Sequence, residues 1–398
     1  MFPIRTSIVV FSAFIFISAC IKLEPSAPDS NNVLDGPLAE LNHEQMIQHM
    51  HGDAAFNDAI FTSENGLGPV FVANTCASCH AGDGKGHQFT SLTRFGQSDS
   101  TGNLFIGKGG PQLQNRAIPG FLPEQLPFGV PFTKLVAPAV TGLGFIDAVT
   151  DADIIAMADP TDADGDGISG VLSVAILPSY VIPRNMAIPQ NGYFICRFGK
   201  KAGAYDLVLQ TAKAYNQDMG IISGYEPVDP HSNLAGDPEI TAQTIQDNVF
   251  YQKTLKAPLA RNQNNSDVIS GKQIFINIGC VTCHKKELKT GHSTISSLSE
   301  KLFFPYTDLL LHDMGSDLDD GYTEGSAKSS EWRTPALWGL GLSKNSQGGN
   351  YFLMHDGRAT TIEQAVLLHG GEGSKSRSQY NALTETERKK LLIFLENL

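Results

Sequence analysis

Positive charge is scarce in this sequence: 29 lysines and arginines stand against 41 aspartates and glutamates in 398 residues, a formal net charge of −12. Nucleic acid, which selects basic surfaces, is excluded as a partner by that balance, and a basic protein is the better electrostatic match. Long apolar runs are lacking as well. The run at 8–17 is too short to span a bilayer. No sustained apolar–polar alternation argues for a large sheet. What remains is a mainly α chain with many loops, broken by 39 glycines and 21 prolines.

Cysteine is also sparse, and nearly every one of the six has a place. Four stand in two copies of one pentapeptide, Cys76-Ala-Ser-Cys79-His80 and Cys280-Val-Thr-Cys283-His284. Cys-x-x-Cys-His is the attachment signal of a c-type haem: the thiols add to porphyrin vinyl groups and the next histidine reaches the iron. Two covalent haems are expected. The alternative is a structural zinc site built from four thiolates, but zinc needs no histidine after each pair, and roughly half the chain separates the pairs. Cys196 lies in the apolar run 193–198 and reads as a buried small hydrophobe.

The sixth cysteine, Cys20, follows Ile17-Ser-Ala, and Arg5 precedes the apolar run. This pattern reads as a lipoprotein signal peptide over 1–19, lipidation of Cys20 and a proline-rich tether over 20–43. The expected location is the cell envelope, lipid-anchored and periplasm-facing on the outer membrane. The membrane contact is the lipid anchor.

The two pentapeptides mark an internal duplication. Phe71 and Phe275 each lie five residues before the first cysteine, and Pro138-Ala-Val-Thr-Gly-Leu-Gly144 echoes Pro335-Ala-Leu-Trp-Gly-Leu-Gly341. Two tandem cytochrome c-like domains are expected, over 44–260 and 261–398, with Gly271 opening the second copy. Helices are expected over 206–219 and 239–256. The capping box Thr384-Glu-Thr-Glu387 starts a closing helix that carries Leu391, Phe394, Leu395 and Leu398 on one face.

Around these signals stand Asn65-Gly-Leu-Gly-Pro-Val-Phe71, Leu143-Gly-Phe-Ile-Asp-Ala148, Ala158-Asp-Pro-Thr-Asp-Ala-Asp-Gly-Asp-Gly-Ile-Ser-Gly170 and Asp218-Met-Gly-Ile221. Later come the run 306–315, Glu331-Trp-Arg-Thr-Pro-Ala-Leu-Trp-Gly339, His355-Asp-Gly-Arg358 and His369-Gly-Gly-Glu372. In these motifs the chain resembles the bacterial di-haem peroxidase family often labelled thiol oxidoreductases, distant relatives of the di-haem cytochrome c peroxidases. The resemblance implies electron transfer with a peroxidase-like activity, a soluble electron-donor protein, and peroxide or another small oxidant. It also implies that the C-terminal haem takes its distal ligand from the helix after the His-Asp-Gly turn, where His369 stands. Lys200 departs from the tryptophan expected at its position.

His284 and His369 are thus the expected axial pair, with His312, Met314 and His355 as alternatives. Arg333 and Arg358 suit carboxylates of the haem edge. For the N-terminal haem the candidates are Met157, His43, His49, His51 and His87. Alternatively the iron is left open, with Gln114 and Glu124 supplying polar groups around it. An open iron next to an electron-storing one favours peroxide chemistry, whereas two six-coordinate irons would favour a non-enzymatic electron carrier. A peptide-modifying oxidase is a third reading. The label of thiol oxidoreductase finds no support, because the paired thiols would be consumed as thioethers. Finally, Asp162, Asp164 and Asp166 have the spacing of a calcium loop, with Ser173 where an EF-hand places glutamate.

Overall fold

The computed structural model describes residues 34, 36–96, 98–99, 102–103 and 110–398, the pairs at 98–99 and 102–103 as backbone alone. Cys20, the signal segment and the tether over 24–32 lie outside them. Residues 34–398 form one compact unit. Ten α-helices lie among the described residues, and the strands make six separate two-stranded antiparallel ladders and no larger sheet. No described helix is long and apolar enough to cross a membrane.

The helices are α1 (His43–Asp53), α2 (Leu143–Asp147), α3 (Asp151–Met157), α4 (Leu207–Met219), α5 (Ala242–Thr254), α6 (Ser266–Asn277), α7 (Ser343–Ser346), α8 (Ile362–Leu367), α9 (Ser374–Ala382) and α10 (Glu385–Glu396). Their starts follow local chemistry. Asn42, Asp206, Thr241, Asn265 and Thr384 each accept a backbone N–H of the first turn. Both bonds of the expected box at Thr384 and Glu387 form. The helices anticipated at 206–219 and 239–256 are α4 and α5, and α6 starts ahead of Gly271 rather than at it.

Two helix crossings organise the unit, and they repeat one another. α1 packs on α5, and α6 packs on α10. At the first crossing a Cβ on Gly52 would lie 2.0 Å from the carbonyl oxygen of Asp247 and 2.6 Å from Tyr251 Cβ; at the second, one on Gly271 would lie 2.1 Å from Lys390 O and 2.7 Å from Phe394 Cβ. Glycine is therefore what lets each pair of backbones touch. The echoed Gly-Leu-Gly motifs repeat too. Gly142 and Gly339 take positive φ, and Gly144 and Gly341 abut the last turns of α5 and α10, at Lys253 O and Glu396 O.

The aromatic four residues after each crossing glycine completes the pattern. Phe275 lies 5.5 Å from Phe394 and 6.3 Å from His284, and Phe56 lies 5.6 Å from Tyr251 and 5.7 Å from His80. The counterpart of Phe275 is thus Phe56, not Phe71. Cys76 follows Phe56 by 20 residues where Cys280 follows Phe275 by 5, and the 15 extra residues carry Phe71 into a strand with Val70, paired to Arg116 and Ala117. Leu391, Phe394, Leu395 and Leu398 are buried as their spacing predicts, each contributing about 1.5–3 kcal/mol relative to exposure. Gly271→Ala is expected to cost about 1–3 kcal/mol or more by forcing α6 off α10. An unchanged denaturant midpoint would contradict the close crossing.

Candidate functional site

Both pentapeptides open into one continuous cavity. Each forms a short tight turn, at Cys76–Ser78 and Cys280–Thr282, and the histidine that follows has its amide bonded back to the first cysteine's carbonyl at 3.0 Å. His80 Nδ1 lies 2.9 Å from Pro138 O and His284 Nδ1 lies 3.0 Å from Tyr306 O. A carbonyl only accepts, so each Nδ1 carries the proton and each Nε2 keeps a lone pair for a metal. Burial lowers both imidazole pKa values to about 4, which holds them neutral, as ligation requires. The four thiols are raised by burial: Cys76 and Cys280 to about 12, Cys79 to about 11, and Cys283 also upward. They share no four-thiol cluster among the described residues, so a zinc site of that kind is not assembled.

Opposite His284 stands His369, directly after α8. Its Nδ1 donates to Ala365 O at 2.8 Å, and the two ring centroids are 6.5 Å apart. That bond leaves Nε2 of His369 with its lone pair, so two neutral imidazoles that would hold a metal stand across from one another in the cavity. The other candidates line the same cavity in different states. His312 is clamped on both nitrogens, Nε2 by Asp308 at 2.9 Å and Nδ1 by Glu372 at 2.6 Å. Burial alone would lower its pKa, but Asp308, Cys283 and Glu372 push it up to about 12. Its nitrogens are occupied. His355 stacks on Trp332 at 3.7 Å, and Met314 is part of the wall.

Over His80 the wall is of another kind. Met157, His43, His49, His51 and His87 all lie outside the cavity lining. His49 bonds Thr254 Oγ1 at 2.7 Å, His87 packs on Phe352 at 4.4 Å, and Met157 joins the main core. Gln114 and Glu124 lie outside as well: Glu124 accepts from the Gln114 amide at 2.8 Å and meets His231 at 3.0 Å, while the Gln114 side chain donates to Gln217 O. Gln112, also outside the lining, donates Nε2 to Oδ1 of Asp218 at the end of α4. Asp218 lines the cavity and acts electrostatically on both Cys76 and Cys79. Burial raises its carboxyl to about 6, against the Gln112 bond and Arg94. In the sequence Asp218 stands in the motif Asp218-Met-Gly-Ile221 with no role of its own; the sign available there is a carboxylate closing an otherwise buried helix end.

Arg333 lines the cavity, whereas Arg358 turns away to Asp356 at 2.7 Å and Asp317 O. Cys196 is buried, its thiol raised to about 12 by burial. In the acidic loop Asp162 and Asp164 gather with Asp159 within 4.8 Å, and Asp166 stands outside that group. These carboxylates cap backbone N–H groups of their own turn, at Ala163, Gly167 and Asp166. Ser173 is buried and donates to Ala202 O.

A search of curated proteins finds no match. Among solved structures the chain is similar to hydrazine synthase of Kuenenia stuttgartiensis, determined under xenon pressure, at 13% identity over 94% of this chain and 95% of that one, with a TM-score of 0.41. The description "di-haem oxidoreductase, putative peroxidase" matches residues 25–94, 132–237 and 222–398. The chain belongs to that di-haem oxidoreductase family.

Proposed function

We propose that this haem-based oxidoreductase carries two covalent c-type haems in tandem cytochrome c-like units and reduces peroxide at the His80 haem, using the His284 haem as an electron store. The observation that carries the reading is the asymmetry of the two sites. His284 has a second neutral imidazole, His369, across the cavity from it, which would complete an iron's ligands, while the wall beside Cys76 and Cys79 offers a buried carboxylic acid instead. Cys76 and Cys79 would hold one group and Cys280 and Cys283 the other, with His80, His284 and His369 as iron ligands. Bound haem supplies one-electron chemistry and, where a coordination position is open, a place for a small oxidant.

The chain's own part is proton movement and orientation. Asp218 as carboxylate takes a proton from one oxygen of hydrogen peroxide and delivers it to the other, so that the O–O bond breaks with loss of water. Two electrons from a reduced donor protein and two solvent protons complete the reduction to two waters. Gln112 holds Asp218 Oδ1, which leaves Oδ2 for this exchange. Lipidation of Cys20 would hold the protein in the cell envelope, within reach of a basic soluble donor.

The test is mass and EPR spectroscopy of the purified protein before and after hydrogen peroxide. Two thioether-bound haems are expected, one high-spin and one low-spin, with the high-spin signal lost on peroxide addition. Two low-spin haems unresponsive to peroxide would sink the enzymatic reading and leave an electron carrier.

A further inference from the structure

Five basic side chains line the cavity, Lys85, Arg197, Lys200, Arg333 and Arg377, and among the described residues Arg197 alone of them is matched by a carboxylate. Arg197 bonds Asp151, both fully buried, and Lys201 behind the wall places Nζ 2.8–3.0 Å from the carbonyls of Lys328, Ser329 and Glu331. Lys85, Lys200 and Arg333 differ. All three line the cavity, and Lys200 feels the positive charge of both others. Arg333 is fixed to the Lys200 segment, its amide donating to Lys200 O at 3.0 Å and its Nε to Gly199 O at 2.9 Å. These are carbonyl bonds, with no carboxylate on the guanidinium. Neither Nζ of Lys85 nor that of Lys200 has a hydrogen-bond or ion-pair partner among the described residues. The carboxylate acting on Lys200 is Asp356, and Arg358 already holds it at 2.7 Å.

Three like charges gathered in an apolar-walled cavity are unfavourable without a bonded counter-charge. The strain shows in their pKa values: burial lowers Lys200 to about 7, Lys85 to about 8 and Arg333 to about 10. His80 and His355 are the neighbouring imidazoles on which Lys200 acts, and both are pushed further toward the neutral form. Asp356 and Asp308 act on Lys200 and Arg333 through their fields, but among the described residues no carboxylate is bonded to any of the three cations, which leaves the cluster open to an anionic ligand. We propose that Lys85, Lys200 and Arg333 form one anion site between the two Cys-x-x-Cys-His turns, built for carboxylates and filled by carboxylates of both haems. An arginine fork suits a carboxylate held at two points, and the lysines act as point charges beside it. This inference rests on the proposed presence of two haems.

A cation beside a haem disfavours the ferric state, which carries one more positive charge than the ferrous. Removing it lowers the midpoint potential. In the full-length protein carrying both haems, Lys200→Met and Lys85→Met should each raise the oxidised-to-reduced ratio several-fold at a fixed poise, and Lys200→Arg should restore it. Added acetate should leave the wild-type titration unchanged if haem carboxylates fill the site. A saturable acetate or phosphate effect lost in Lys200→Met would keep the anion site and overturn its filling by haem. Unaltered titrations in both Met variants, with haems attached and no response to anions, would overturn the site itself. A protein that acquires no covalent haem would fail the functional reading instead, and acetate binding would still report on the three cations.

Discussion

Asp218→Asn is expected to lower peroxide turnover by about 10²–10⁴-fold, the usual contribution of a positioned acid–base group, while leaving the His284–His369 spectrum unchanged. Asparagine keeps an oxygen for Gln112 Nε2 but cannot take up a proton. Turnover in the wild type should rise as pH passes about 6, where the buried carboxyl ionises, and that limb should vanish in the variant. Stability should move the other way. Burial raises the folded-state pKa from 3.8 to about 6, so the neutral acid is favoured in the fold. The associated stability is present below the unfolded value and lost as pH climbs through about 6, some 3 kcal/mol at about 1.36 kcal/mol per unit. Asparagine, always neutral, escapes that loss. The variant should therefore be less active and more stable than wild type at pH 7, and a parallel fall in both would mark Asp218 as structural. Kinetics should place the loss in kcat rather than KM, since the carboxylate acts on bond cleavage.

Much of this arrangement is legible in the sequence because it is local. The pentapeptides define their own turns, and the capping box and apolar face of α10 are fixed within a dozen residues. The echo of Pro138–Gly144 by Pro335–Gly341 is readable for the same reason: each Gly-Leu-Gly serves one helix end. Phe71 misled because equal spacing from a cysteine is not equal position in a fold. The insert after α1 breaks the continuity that α6 keeps, and the true repeat is Gly-x-x-x-Phe at 52–56 and 271–275. That pattern was visible, but its meaning depends on helices α5 and α10 lying far along the chain.

The far wall of the His80 site was not legible, for a physical reason. Asp218 acquires its character from desolvation and from Gln112 and Arg94, which lie more than a hundred residues away. Candidate histidines could be counted in sequence, but whether a side chain faces the cavity depends on tertiary packing. His49 is drawn to Thr254, and His87 to Phe352. The same holds at position 200. A lysine where tryptophan was expected reads as a loss in the sequence, yet the structure gives it two cationic neighbours at the cavity wall. Both tryptophans of the chain, Trp332 and Trp338, line that same cavity.

His369→Ala should convert the second haem from low-spin to high-spin, raising the high-spin EPR signal from one haem per chain to two. One observation separates a ligand from a helix cap. The bond from Nδ1 to Ala365 O serves either role, since it both caps the last turn of α8 and fixes the ring with Nε2 free. The His369 ring stands 6.5 Å from that of His284 across the cavity, and nothing in capping requires that distance. Electrostatics agree, because burial and Arg377 lower the His369 pKa and keep the ring neutral. A residue that merely ended α8 would, when replaced, cost about 1 kcal/mol and leave both haem spectra intact. Removal of the ligand instead opens a cavity of imidazole size beside the iron, so external imidazole should restore the low-spin spectrum in the variant and do nothing further at that site in the wild type. Peroxide should then consume high-spin signal at both haems of the variant. If the variant stays low-spin without imidazole, another group supplies the sixth bond, and Met314 and His355 on the same wall become the residues to replace.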